Sequence, residues 1–105
     1  MKVKQGASID HCNAPILRAA ILIEPLFTSR GVELVITSGT GEKHRAERSG
    51  HYRGDAIDIR TRDLPPDQHA ALAKAIRRKI GSAYVVILES NHIHIHWSPT
   101  LDTMV

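Results

Sequence analysis

His92, His94 and His96 alternate with Ile93, Ile95 and Trp97, and this short stretch is where the chain's chemistry concentrates. A period of two puts the three imidazoles on one face of a β-strand and the apolar side chains on the other. Neutral imidazole is the commonest protein ligand for transition metals, so a row of them invites a metal ion. Upstream, Ser49-Gly50-His51-Tyr52-Arg53-Gly54-Asp55-Ala56-Ile57-Asp58 supplies a further histidine and a carboxylate seven residues apart. Catalytic zinc takes three protein ligands from His, Asp or Glu and keeps one position open for water. His51 and Asp58 fit as two of the three, and the histidine strand must supply the last. Gly54 lets the chain turn between His51 and Asp58 without a Cβ clash, and Ala56 leaves room beside the ion.

Elements to hold these residues are visible along the chain. Asn13 caps and Pro15 opens a helix over residues 14–28, with Ile16, Ala19, Ala20 and Ile23 on one face. Pro25 is expected to kink or end it. Val32 to Thr37 reads as a strand rich in β-branched residues. Residues 38–54 are glycine-rich and charged with no apolar period, which makes a long and functional loop. Ala56 to Arg60 forms a short strand with Ile57 and Ile59 inward and Asp58 on the opposite face. Pro65-Pro66 opens a second helix with Leu72, Ala73, Ile76 and Ile80 as its stripe. Arg77, Arg78 and Lys79 complement the dipole of its last turn, and Gly81 ends it. Tyr84 to Leu88 reads as a central strand, and Glu89-Ser90-Asn91 turns into the histidine strand. Two helices among four strands predict an α+β domain with a small antiparallel sheet.

With 105 residues, the chain has room for a single domain, 1–105, and one modest core. A hydrophobic fraction of 42% and a charged fraction of 24% argue against disorder. The net charge of +3 favours anionic partners without choosing among them. Cys12 stands alone, which excludes an intramolecular disulfide and a cysteine-based zinc cluster. The apolar stretch Ile16–Phe27 is broken by Arg18, Glu24 and Pro25, so neither a secretory signal nor a membrane span is expected. Cytoplasmic synthesis, a monomeric state and no membrane partner follow as expectations. The basic loop lacks interleaved aromatics for base stacking, so nucleic acid is not expected either.

Ser49-x-His51-x-x-Gly54-x-Ala56-x-Asp58, followed by His92-x-His94, resembles the LAS zinc peptidases. These are the D-Ala-D-Ala carboxypeptidases and phage L-alanyl-D-glutamate endolysins, with the Hedgehog amino-terminal domain as a fold relative. The short phage and prophage members are the closest in pattern, and the likeness runs from about Val32, through Thr37-Ser38-Gly39, to Pro99. It implies an antiparallel sheet flanked by two or three helices, a bound Zn2+, and hydrolysis of peptidoglycan stem peptides. The wall would be reached through a holin pore. By that resemblance His51 and Asp58 are zinc ligands and Ser49 helps hold the peptide. The third ligand has two registers. Placing it at His94 leaves His92 as a catalytic group; placing it at His92 leaves Glu89 as the base of a Glu-x-x-His pattern. His94 is favoured because it lies mid-strand with a same-face neighbour on either side.

The pattern also has departures. Thr40-Gly41 stand where many relatives have a Tyr-Arg pair; Lys43, Arg45, Arg48 or Arg53 can substitute as the substrate-binding cation, Arg48 being the candidate, while each also reads as a solvated loop charge. Asn91 takes the place of an acidic residue and reads as a turn residue; His96 does so too and reads as a bystander. His44 and His69 read as surface histidines. Two rival functions remain open: a non-catalytic metal- or wall-binding module of the same fold, and an iron or manganese oxygenase site using His92 and His94.

Overall fold

Ile57 and Ile59 from one strand and Ile93 and Ile95 from another are fully buried side by side, and the fold is assembled around them. The computed structural model describes residues 1–40 and 53–99. In chain order its elements are β1 (Lys2–Val3), α1 (Ala14–Thr28), β2 (Val35–Ser38), β3 (Ala56–Arg60), a 3-10 turn (Pro66–Gln68), α2 (His69–Ile80), β4 (Tyr84–Leu88) and β5 (His92–Trp97). The strands form one five-stranded sheet in the order β1-β2-β3-β5-β4. β1 runs parallel to β2, and every other pairing is antiparallel. The α+β class and the largely antiparallel sheet are as expected, with β1 as an addition. Two residues carry too little period to announce a strand.

Both helices cover the isoleucine face of the sheet. α1 contributes Ile16, Ala20, Ile23 and Phe27 to the core, and α2 contributes Leu72, Ala73 and Ile76. Each fully buried aliphatic side chain adds roughly 1.5–3 kcal/mol. Arg77 ties α2 to β4, its guanidinium donating to the Val86 carbonyl at 3.0 and 3.3 Å. Gly81, at φ +83°, closes α2 as expected.

Three expectations need correction. Of the two outcomes expected for Pro25, a kink or an end, the end does not fall at the proline itself: Pro25 opens the last turn and the helix continues to Thr28. The carbonyl that a proline leaves unbonded belongs to Ile21, which is 65% exposed, so water can satisfy it. Asn13 occupies the N-cap position, but its side chain makes no cap hydrogen bond. It reaches instead to the Arg53 carbonyl, at 3.2 Å, and to the Asp55 carboxylate. Finally, β4 is an edge strand and not a central one, which leaves Ile87 and Leu88 exposed.

The segment Ser8–Asn13 matters beyond its length, because it braces both stems of the loop between β2 and β3. On one side, the Thr40 N–H donates to the Ser8 carbonyl at 2.8 Å. On the other, the Asn13 N–H donates to the Gly54 carbonyl at 2.8 Å. Glycine is required at both contacts. A Cβ on Gly39 would collide with the Ser8 carbonyl oxygen, and one on Gly54 with that of His11. Gly54 also sits at φ +80°, where side chains are strained.

Two outcomes follow. Gly54→Ala should lower stability by roughly 2 kcal/mol, or about 10 °C in Tm, read by thermal unfolding. Tyr84 donates its hydroxyl to the Pro15 carbonyl at 2.7 Å. Burial raises its pKa above the ordinary 10.0, against a smaller opposing pull from Arg18. Above pH 10 the unfolded chain therefore loses this proton first, and stability falls as pH rises through the folded value. Denaturant titrations between pH 8 and 11.5 should show a shallower alkaline loss in Tyr84→Phe than in the wild type.

Candidate metal centre

The strand register brings one carboxylate and two imidazoles together on the face away from the helices. Asp58 of β3 lies directly opposite His94 of β5, and Arg60 lies opposite His92. Ser38 of β2 pairs with Asp58 from the other side. Asp58 Oδ1 is 2.9 Å from His94 Nδ1, and Asp58 Oδ2 is 3.8 Å from His92 Nε2. The carboxylate is nearly buried, its side chain 9% exposed. Burying a charged carboxylate is costly unless charge-assisted bonds or a cation compensate it, and His94 and His92 are two of the groups placed to do so.

His92 has a second partner that fixes its orientation. Its Nδ1 lies 2.6 Å from Asn91 Oδ1. A carboxamide oxygen only accepts, so Nδ1 is the donor of that bond and Nε2 is the ring nitrogen turned toward Asp58. Asn91 had signalled only a turn; its bond to the neighbouring imidazole has no sequence signature. His96 stacks obliquely on His94, with ring centroids 5.9 Å apart.

Glu89 lies in the exposed turn between β4 and β5, where its backbone N–H donates to the His92 carbonyl at 2.9 Å. Extending the β4–β5 register places it opposite His92. No contact joins the Glu89 side chain to the Asp58 cluster among the described residues. His69 is accounted for by a hydrogen bond to the Leu64 carbonyl at 2.9 Å. Arg53 is half exposed and 3.7 Å from Asp55, which ties it to the loop stem. His51, Ser49, Arg48, His44, Lys43 and Arg45 lie outside the described residues.

Zinc ligands at 2.0–2.2 Å in tetrahedral array are about 3.4 Å apart. The Asp58–His94 separation of 2.9 Å is about half an ångström shorter, so this pair would hold a metal once Nδ1 gives up its proton and the two side chains open slightly. Among the described residues, no group of three or more His, Cys, Asp or Glu side chains is assembled as a complete metal-holding set. A third ligand is therefore needed from elsewhere.

The Hedgehog amino-terminal signalling domain is the family whose model matches this chain, over residues 7–98. The chain belongs to that family. The wider Hedgehog/LAS-like fold group includes zinc peptidases, and the five-stranded sheet with two helices agrees with it.

Zinc titration followed by calorimetry tests the pair directly. Asp58→Ala and His94→Ala should each weaken binding by 100-fold or more if the pair holds the ion, because each would then remove a ligand. Asn91→Ala should change it by no more than about tenfold, in keeping with a residue that acts through His92.

Proposed function

We propose that the protein is a zinc-dependent peptidase that hydrolyses peptidoglycan stem peptides, at D-Ala-containing or L-Ala-D-Glu bonds. The observation that carries this reading is the convergence of Asp58 with His94 and His92 on one sheet face. His51, Asp58 and His94 would hold the ion. When bound, zinc would lower the pKa of a water toward ~7 and polarise the scissile carbonyl.

The chain's own residues supply the remaining work. Asp58 and His94 are held in place by the β3–β5 ladder, so their donor atoms need little reorganisation. His92, oriented by the Nδ1 bond to Asn91, takes the proton from the water at Nε2 and returns it to the leaving amine. Glu89 is the alternative base for this transfer, from its place opposite His92. Ser49 and Arg48 are assigned to holding the peptide. A monomer acting on the wall after release from the cytoplasm by a phage holin completes the reading.

One contact favours a second reading. Asp58, His94 and His92 are the residue types of the two-histidine, one-carboxylate ligand set of non-haem iron oxygenases, and closing the 3.8 Å gap between His92 and Asp58 would complete it. Metal analysis of untagged protein separates the two. One equivalent of iron in place of zinc favours the oxygenase.

Release of new amines from purified peptidoglycan is the direct assay. The wild type with zinc should release them, and His51→Ala should be inactive. His92→Ala should lose 100-fold or more in kcat while retaining zinc. If Glu89→Ala is the variant with that loss and His92→Ala loses its zinc, Glu89 is the base and His92 replaces His94 as the ligand. If the wild type binds zinc tightly and releases no amines, the peptidase reading is lost and a non-catalytic metal- or wall-binding module takes its place.

A further inference from the structure

Beside the Asp58 cluster is a cleft of about 350 Å³ lined by Lys4, Thr37, Arg60, Arg62, Asn91 and His92. Three of these six side chains carry fixed positive charge, and none is a carboxylate. Among the described residues, Lys4, Arg60 and Arg62 form no ion pair. Three neighbouring cations without acidic partners repel one another, so their clustering in a concavity is unfavourable until an anion enters.

The sheet builds this arrangement. Arg60 follows Asp58 by two residues and so shares its face, directly across from His92. Lys4 follows β1, its N–H donating to the Ile36 carbonyl at 2.8 Å, which brings it beside Thr37. Arg60 is half-buried, whereas Lys4 and Arg62 are exposed. Arg60 is thus the best-fixed cation of the three, and guanidinium geometry matches a carboxylate in two parallel bonds. His92 borders both the cleft and Asp58, so a group bound in the cleft adjoins the metal ligands.

We infer that this cleft is an anion subsite that binds a carboxylate of the substrate peptide and orients the chain across the Asp58–His94 pair. The inference rests on the peptidase reading for the identity of its ligand. It also relocates the anchoring cation. The candidates in the loop, Lys43, Arg45, Arg48 and Arg53, give way to Arg60 on the sheet, with Lys4 and Arg62 in support. Arg60 is then a specificity-determining residue.

Zinc-loaded full-length protein titrated with an N-acetylated L-Ala-D-Glu peptide, observed by NMR, is the test. The same peptide with its carboxylates amidated is the control, and inorganic phosphate is a third probe. The free acid should bind at least tenfold more tightly than the amide. Arg60→Gln should remove most of that preference and leave amide binding unchanged. Lys4→Gln, at an exposed position, should reduce it less, and it serves as a second variant if Arg60→Gln perturbs the fold. Equal binding of acid and amide, no binding of either, or a preference that survives both variants overturns the proposal. Phosphate binding that depends on Arg60 without peptide binding overturns the peptide assignment and leaves a general anion site. Hydrolysis appears separately as product signals. A carboxylate preference without products sinks the peptidase reading alone; products without the preference sink the subsite alone.

Discussion

A nearly buried carboxylate in the middle strand of a five-stranded sheet is the constraint around which this molecule is organised. Asp58 cannot sit there cheaply, and hydrophobic neighbours would make its position untenable. The β3–β5 ladder resolves the conflict by placing His94 opposite it and His92 one same-face step along. The isoleucines between these polar residues point the other way and are sealed by α1 and α2. One alternation therefore serves two purposes: its odd positions build the core and its even positions build the site. A one-residue slip of β5 would exchange them, losing both at once. Stability and chemistry are coupled through register.

The second organising feature is the N-terminal segment. Ser8–Asn13 hydrogen-bonds the stem at Thr40 and the stem at Gly54, so the loop that contains His51 departs from and returns to fixed points. Both glycines there are closed in by backbone, which explains why they admit no side chain. In the proposed zinc site, one ligand comes from that loop and two from the sheet. The brace is what connects the two halves.

Much of this was legible from residue types and spacing. Strict alternation in His92–Trp97 fixed the strand, its two faces and the mid-strand standing of His94. Asp58 opposite the core, Gly54 as an obligatory glycine and Gly81 as a helix stop were equally readable. The rest depended on tertiary contacts that no local pattern encodes. Tyr84–Leu88 is apolar enough for a central strand, yet strand order is set by which hairpin folds onto which, and β4 ends at the edge. Pro25 was read as a kink or an end because its cost was judged without knowing that it faces water, where one more turn is tolerated. Arg60 was within reach of the period-two rule, being two residues from Asp58, but Lys4 was not, since β1 is too short to show a pattern. Asn91 was visible as a turn residue and invisible as the partner of His92.

The central claim is that His94, paired across the sheet with Asp58, is the strand's metal ligand and that His92 is not. Long-range proton–nitrogen correlation spectra of the imidazoles during zinc titration address it directly. The account predicts that at one equivalent of zinc the His94 Nδ1 resonance moves to the metal-bound range together with one nitrogen of His51, while both nitrogens of His92 stay outside it. Movement of a His92 nitrogen into that range in place of His94, or no movement of any histidine nitrogen, would contradict it.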